Sequence, residues 1–156
     1  RESLEIKRAM LGDDHPTVAT GMNNLGLLLL AEGRLADAEP LLERSLEVRR
    51  AVYGEADARV ARGIHNLGML ALQEGDTTLA AERLEKALEL RVQVLGEDHL
   101  DVAVSCSALG GLLESRGRLT EARALFARSL DIRRRKLAPE HPDVVSDQAA
   151  LRRLPE

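Results

Sequence analysis

The sequence predicts an all-α protein, a solenoid of antiparallel helix hairpins, and three observations carry that prediction. Shifting the chain by 42 residues lays Leu25-Gly26 on Leu67-Gly68 and on Leu109-Gly110, and Gly33 on Gly75 and Gly117. A fixed period of this length marks a repeat architecture. Within each period apolar residues recur every three or four positions, the spacing of one face of a helix. Glycine then closes the first apolar run of each period, as a left-handed helix cap requires. The same shift aligns Ala38, Ala80 and Ala122, then Leu46, Leu88 and Leu130, then Arg49, Arg91 and Arg133, without insertion or deletion.

The chain opens on a half unit, residues 1–11, where Ser3-Leu4-Glu5-Ile6 repeats Ser45-Leu46-Glu47-Val48 and so reads as a second helix. Three full units follow, 12–53, 54–95 and 96–137. In the first, Val18, Met22, Leu25, Leu28 and Leu29 predict a helix from Pro16 to about Glu32. Proline suits that first turn, where its missing N–H is not needed. Asp13, Asp14, Glu97, Asp98 and Glu140 precede such starts and favour the positive end of the helix dipole. The second helix of the unit runs from Leu35 to Val52, with Leu35, Ala38, Leu42, Leu46 and Val52 turned inward. The closing half unit, 138–156, repeats His15-Pro16-Thr17-Val18 as His141-Pro142-Asp143-Val144 and reads as a first helix. All five stretches form a single array. Its two ends carry unmatched apolar residues, Leu4 and Ile6 in one and Val144 and Leu151 in the other, whereas arrays normally end in polar caps.

Charge is spread along these helices. Arg49, Arg50, Arg91, Arg133 and Arg134 fall late in second helices, where cations suit the dipole. Glu82 with Lys86 and Asp131 with Arg135 are i,i+4 pairs. The charge runs read as a solvated outer face. With 156 residues, 44% hydrophobic, 31% charged and a net charge of -4, the chain has the composition of a soluble helical protein. Interspersed acid and base leave no basic stripe for nucleic acid or an anionic membrane. A single cysteine, no signal-like start and no apolar run of about 18 residues predict a cytoplasmic protein in a reducing compartment. The chain begins at Arg1 rather than methionine, which points to a piece of a longer protein; high alanine, leucine and arginine usage points to a bacterial source.

Catalytic constellations are lacking. His15, His99 and His141 hold one repeat position in successive loops, spaced on the order of 10 Å by helix packing, so they do not converge on a metal. His65 with Ser105 and Ser107 has neither a nucleophile elbow nor an orienting acid. Cys106 sits at a core position as a bland buried thiol. The phosphate-loop pattern G-x-x-x-x-G-K-[ST] is absent. The expectation is no enzyme, no catalytic residues, no metal and no cofactor.

Glycine inside a helix costs about 1 kcal/mol relative to alanine, so Gly26, Gly68 and Gly110 in register need a packing reason: facing Ala38, Ala80 and Ala122, they let paired helices approach closely. Leu25-Gly26 followed by Ala38, Leu42 and Ser45 resembles the tetratricopeptide repeat. The period of 42, the linker Leu95-Gly96-Glu97-Asp98-His99 and Asn23-Asn24-Leu25 resemble its kinesin-light-chain type. The resemblance covers essentially the whole chain. It implies a right-handed superhelix whose first helices line a concave groove, and a protein–protein interaction module that binds a linear segment of a partner. In that groove the resemblance puts Thr20, Asn23, Leu27 and Leu30 from the first unit, and Arg62, His65, Met69 and Leu72 from the second. Ser107 follows from the third, and Asn24, Asn66 and Gln73 form an adjacent stripe. Asn24 and Asn66 would make an amide ladder able to hold a peptide backbone, since an amide offers two donors and an acceptor. Arg62 is the only basic groove residue and Glu114 opposes it, a departure from clamps built on repeated lysine or arginine. The alternative is a self-assembly or sensor segment of a larger bacterial signalling protein, associating through its terminal helices.

Overall fold

The computed structural model describes residues 2–155, with side chains from Leu4 onward. Eight helices account for these residues, without a strand among them: α1 (Glu2–Leu11), α2 (Pro16–Ala31), α3 (Leu35–Tyr53), α4 (Ala58–Glu74), α5 (Thr77–Leu95), α6 (Leu100–Ser115), α7 (Leu119–Arg134) and α8 (Pro142–Arg153). Sequential helices pack in adjacent pairs. The chain gathers into two compact units, Arg1–Lys86 and Ala87–Glu156, the division falling within α5.

A glycine with positive φ follows each of the first six helices: Gly12, Gly33, Gly54, Gly75, Gly96 and Gly117, spaced by 21 residues. Every helix and its turn therefore occupy half of the 42-residue period. Left-handed backbone is nearly free for glycine and costs other residues about 1 kcal/mol. The next position in this series is Ala138, and among the described residues φ is positive at none but glycine. There α7 stops at Arg134, short of the register at which α3 and α5 end, and the chain descends through Lys136 and Leu137, whose N–H groups both reach the Arg133 carbonyl.

In unit 1, Leu4 of α1 packs with Val18 and Met22 of α2, facing Gly21, where a Cβ would come within 2.8 Å of Leu4 Cδ1. Leu4 is thus buried. It does not belong to an open face. Between α2 and α3, an added Cβ on Gly26 would lie 2.8 Å from both Leu42 Cγ and Cδ2. Overpacking of this kind costs about 1–3 kcal/mol. The glycine makes room for Leu42, a knob entering a hollow, and the backbone oxygen of Ala38 lies 3.4 Å from the same added Cβ, so the small pair also sits in contact. Gly68 with Leu84 in unit 1 and Gly110 with Phe126 in unit 2 repeat the arrangement. Two apolar residues of the predicted inward faces are exposed, Leu28 and Val52. Val52 lies in the last turn of α3, beyond the span that α2 covers.

Unit 2 is centred on Val102, Ala103, Cys106 and Ile132, flanked by Leu88, Val92, Leu100 and Leu125. Burial raises the Cys106 thiol pKa, so the sulfur stays protonated and inert. Val144 of α8 is fully buried and Leu151 is partly covered. Both predicted raw ends leave apolar residues exposed: Val145 in α8, beside Ser146, Arg152 and Arg153, and Ile6, Met10 and Leu11 in α1.

Candidate functional site

The first helix of each hairpin starts on a side-chain cap. His15 Nδ1 accepts from the Thr17 N–H (3.1 Å), His99 Nδ1 from Asp101 (3.1 Å) and His141 Nδ1 from Asp143 (3.2 Å). Asp57 does the same for Arg59 at 2.8 Å. The histidines thus have a structural use, holding helix starts through an unprotonated Nδ1. Asp57 also binds the Arg59 guanidinium at 2.9 and 3.0 Å, and that interaction holds its carboxyl pKa below the usual carboxylate value. Arg59 in turn stacks over the Tyr53 ring, 3.4 Å from its centroid.

Arg49, Arg91 and Arg133 are buried, contrary to their reading as part of a solvated face. Each sends Nη1 to a backbone carbonyl ten residues on: Arg59 O (3.3 Å), Asp101 O (2.8 Å) and Asp143 O (3.2 Å). A guanidinium has five donors and can tie two helices through several acceptors. What else each one meets differs. Arg91 donates to Ser105 Oγ (2.7 Å), and Arg133 to Asp147 Oδ2 (2.7 Å) and Ser107 Oγ (3.0 Å). The residue that matches Ser105 and Asp147 in the preceding period is Gly63. Arg49 meets Asn23 Oδ1 at 3.2 Å, and its Nη2 has no hydrogen-bond partner among the described residues. Burial, then the nearby charge of Arg62, pulls its pKa down to about 10. The signal for these arginines was in the sequence, as one residue type held in strict register; a solvated charge needs no such constancy.

The predicted groove residues divide by environment. Asn23 is buried, and its Oδ1 accepts from both Arg49 and Asn66, whose Nδ2 lies 2.9 Å away. Asn66 is buried as well, so its amide joins α4 to α2, while Asn24 of the same repeat position is exposed. Leu30 and His65 are also buried. Thr20 is exposed, its hydroxyl turned back to the Pro16 carbonyl at 3.0 Å. Leu27, Arg62 and Gln73 are exposed, and Met69 and Leu72 half-buried. In unit 2 the Ser107 hydroxyl donates to Asp147 Oδ1 (2.7 Å). The accessible set in unit 1 is therefore Thr20, Asn24 and Leu27 from α2 with Arg62, Met69, Leu72 and Gln73 from α4. Among the described residues no group of three histidine, cysteine or acidic side chains is placed to hold a metal. No helix among them is long and apolar enough to cross a membrane.

A model of the tetratricopeptide repeat family matches residues 1–51 and 58–135. Among solved structures, the chain is similar to a Podosopora anserina protein described as a kinesin light chain, with nearly identical TPR-like repeats; the TM-score is 0.79 at 22% identity, over 89% of this chain and 66% of that one. It is also similar to BtubC (BKLC) from P. vanneervenii, at a TM-score of 0.77 and 24% identity, over 88% of this chain and 55% of that one. The chain thus spans about two thirds and about half of these two proteins. No curated protein sequence matches it.

Proposed function

We propose, from the premise that this chain belongs to the tetratricopeptide repeat family, that unit 1 receives a linear segment of a partner protein along the exposed sides of α2 and α4. Repeats of this family are generally protein–protein interaction modules; the groove, and the residues that serve it, are the present reading. One observation carries it: exposed Arg62 stands near the buried Arg49, and among the described residues no carboxylate bonds the latter. Two cations with so little neutralisation make this stretch attractive to acceptors, either peptide carbonyls or an acidic side chain. Leu27, Met69 and Leu72 supply the apolar surface, and Asn24 and Gln73 the adaptable amides. The buried Arg49–Asn23–Asn66 chain of hydrogen bonds supports this use, since it fixes α2 against α4 and spares a ligand the cost of ordering them.

The experiment is selection of binders from a random peptide library on the 156-residue chain, followed by titration of Arg62→Glu. The exposed position leaves helicity unchanged by circular dichroism. Affinity falls at least about ten-fold, as reversing a charge that a ligand uses requires. Equal affinity of parent and variant overturns the proposal.

A further inference from the structure

One position of the repeat changes character in the middle of the chain. Leu41 packs against Leu4, Val18 and Met22, and Leu125, two periods on, against Val102, Ala103, Cys106 and Ile132. Midway between them in register stands Arg83. Its Nη1 donates to the Leu67 carbonyl at 3.2 Å, and a cleft of about 280 Å³ opens beside it within unit 1. Buried Leu46, Ile64 and Leu67 line the cleft. Leu46 and Ile64 are the counterparts of Leu4 and Met22, which Leu41 covers one period earlier. Where its sisters insert a leucine, this period leaves an aliphatic hollow. Its charged lining is Glu43, Glu47 and Arg50 of α3 with Arg83 of α5. Two of these already have partners: Arg44 Nη1 reaches Glu47 at 2.8 Å, and Arg50 Nε reaches Glu55 at 3.1 Å. Glu43 and Arg83 form no ion pair with each other or with any other described residue. One carboxylate and one guanidinium are thus unneutralised on the two helices that border an apolar hollow.

We infer that this cleft binds a free aliphatic α-amino acid of leucine size, as its zwitterion. The branched side chain covers Leu46, Ile64 and Leu67 as Leu41 covers their counterparts, and gains the free energy of apolar burial. The ligand carboxylate accepts from the Arg83 guanidinium, whose planar fork suits it. The ligand ammonium donates to Glu43. A ligand with one charge alone would bring that charge beside a group of its own sign and leave the opposite group unused. The volume agrees, since small-molecule pockets start at about 300 Å³. The cleft lies among α3, α4 and α5, apart from the proposed peptide groove, and does not rest on that reading.

The probe is L-leucine, titrated into the isotopically labelled 156-residue chain and followed by amide chemical shifts. The titration runs to about 20 mM, because so small a ligand gains limited affinity. Shifts of amides around Glu43, Leu67 and Arg83 move and saturate. Arg83→Leu restores the side chain that the sister periods carry, so the variant stays helical by circular dichroism while the saturable shifts disappear. Glu43→Gln keeps the shape of the cleft and weakens binding at least about five-fold, as loss of a charge-assisted hydrogen bond requires. 4-Methylpentanoic acid, which lacks the amine, and isoamylamine, which lacks the carboxylate, each bind at least about five-fold more weakly than leucine. Absence of saturable shifts overturns the inference, as do shifts that survive Arg83→Leu unchanged or a single-charge analogue that binds as well as leucine. N-acetyl-leucine amide binding as tightly as leucine overturns it in favour of a leucine side chain presented by a partner protein.

Discussion

Arg49 in unit 1 and Arg133 in unit 2 occupy one repeat position in opposite electrostatic circumstances. Both are buried, both end a second helix, and both tie it to the first turn of the next one through a carbonyl ten residues ahead. Arg133 faces Asp147, only 1% exposed, whose two oxygens are occupied by Ser107 Oγ, Ser129 Oγ (2.6 Å) and the guanidinium. Arg49 is 2% exposed and has an amide oxygen in place of a carboxylate. A repeat can thus keep its backbone geometry while the electrostatic content of its joints is rewritten. The joint in unit 2 is closed and self-satisfied; the joint in unit 1 retains a net positive charge.

Breaking each arginine tests this contrast most strongly. Arg133→Leu leaves Asp147 buried without its cation and destabilises unit 2 by about 3–5 kcal/mol, the range for an uncompensated buried charge. Arg49→Met removes a cation that has no such partner and changes stability by no more than about 1 kcal/mol. Urea denaturation of both variants measures the difference, and equal losses would refute the comparison.

Supplying the missing acid sharpens it further. In Gly63→Asp the new Cβ meets the Leu46 Cδ1 methyl at 2.9 Å, the tip of a flexible side chain that can turn aside. The variant stays within about 1 kcal/mol of the parent, because desolvation of a buried carboxylate offsets its attraction to Arg49. A pH signature accompanies it. The pKa of Arg49 in the folded chain, about 10, lies below its ordinary value of 12.5, so the folded state binds fewer protons there and stability rises between those two values. Gly63→Asp removes that rise. A pH-stability curve that keeps it would show that the acid does not reach the guanidinium.

The smallest effect lies at the caps. Asp57→Ala and His99→Ala each lose one cap, worth about 1 kcal/mol. The lowered pKa of Asp57 means that its stabilisation is present above the unfolded value, near 3.8, and lost as pH falls through the folded one. Thermal melts between about pH 3 and 6 therefore narrow the gap between parent and Asp57→Ala from its value near neutrality. A constant gap would exclude the Arg59 interaction as the cause.

The fold was legible because its evidence is periodic. A repeat of 42, helical spacing and glycine ends locate the helices to within a few residues, for instance α2 at Pro16–Ala31 against a prediction ending near Glu32. The site was less so, because a residue type does not state which neighbour uses it. Asn24 and Asn66 look alike in sequence, yet among the described residues it is Asn66 whose amide donates to a neighbouring helix, at Asn23 of α2. Arg49 in a last turn satisfies the helix dipole whether it is exposed or buried, and only the invariance of its register separates the two. Leu4 and Ile6 stand in one short helix, but the hollow at Gly21 admits only the first. Such distinctions belong to tertiary neighbours rather than to the segment itself.

The even spacing of the glycine turns has a consequence for how such a molecule can change size. Removing or inserting one stretch between glycines 42 apart, such as Gly33 and Gly75, joins like to like. Each remaining hairpin still meets the neighbour type for which its knobs and hollows are cut. Length can then vary in whole steps with no new interface to be invented, while a change of any other size would set apolar faces toward water from the point of the cut onward.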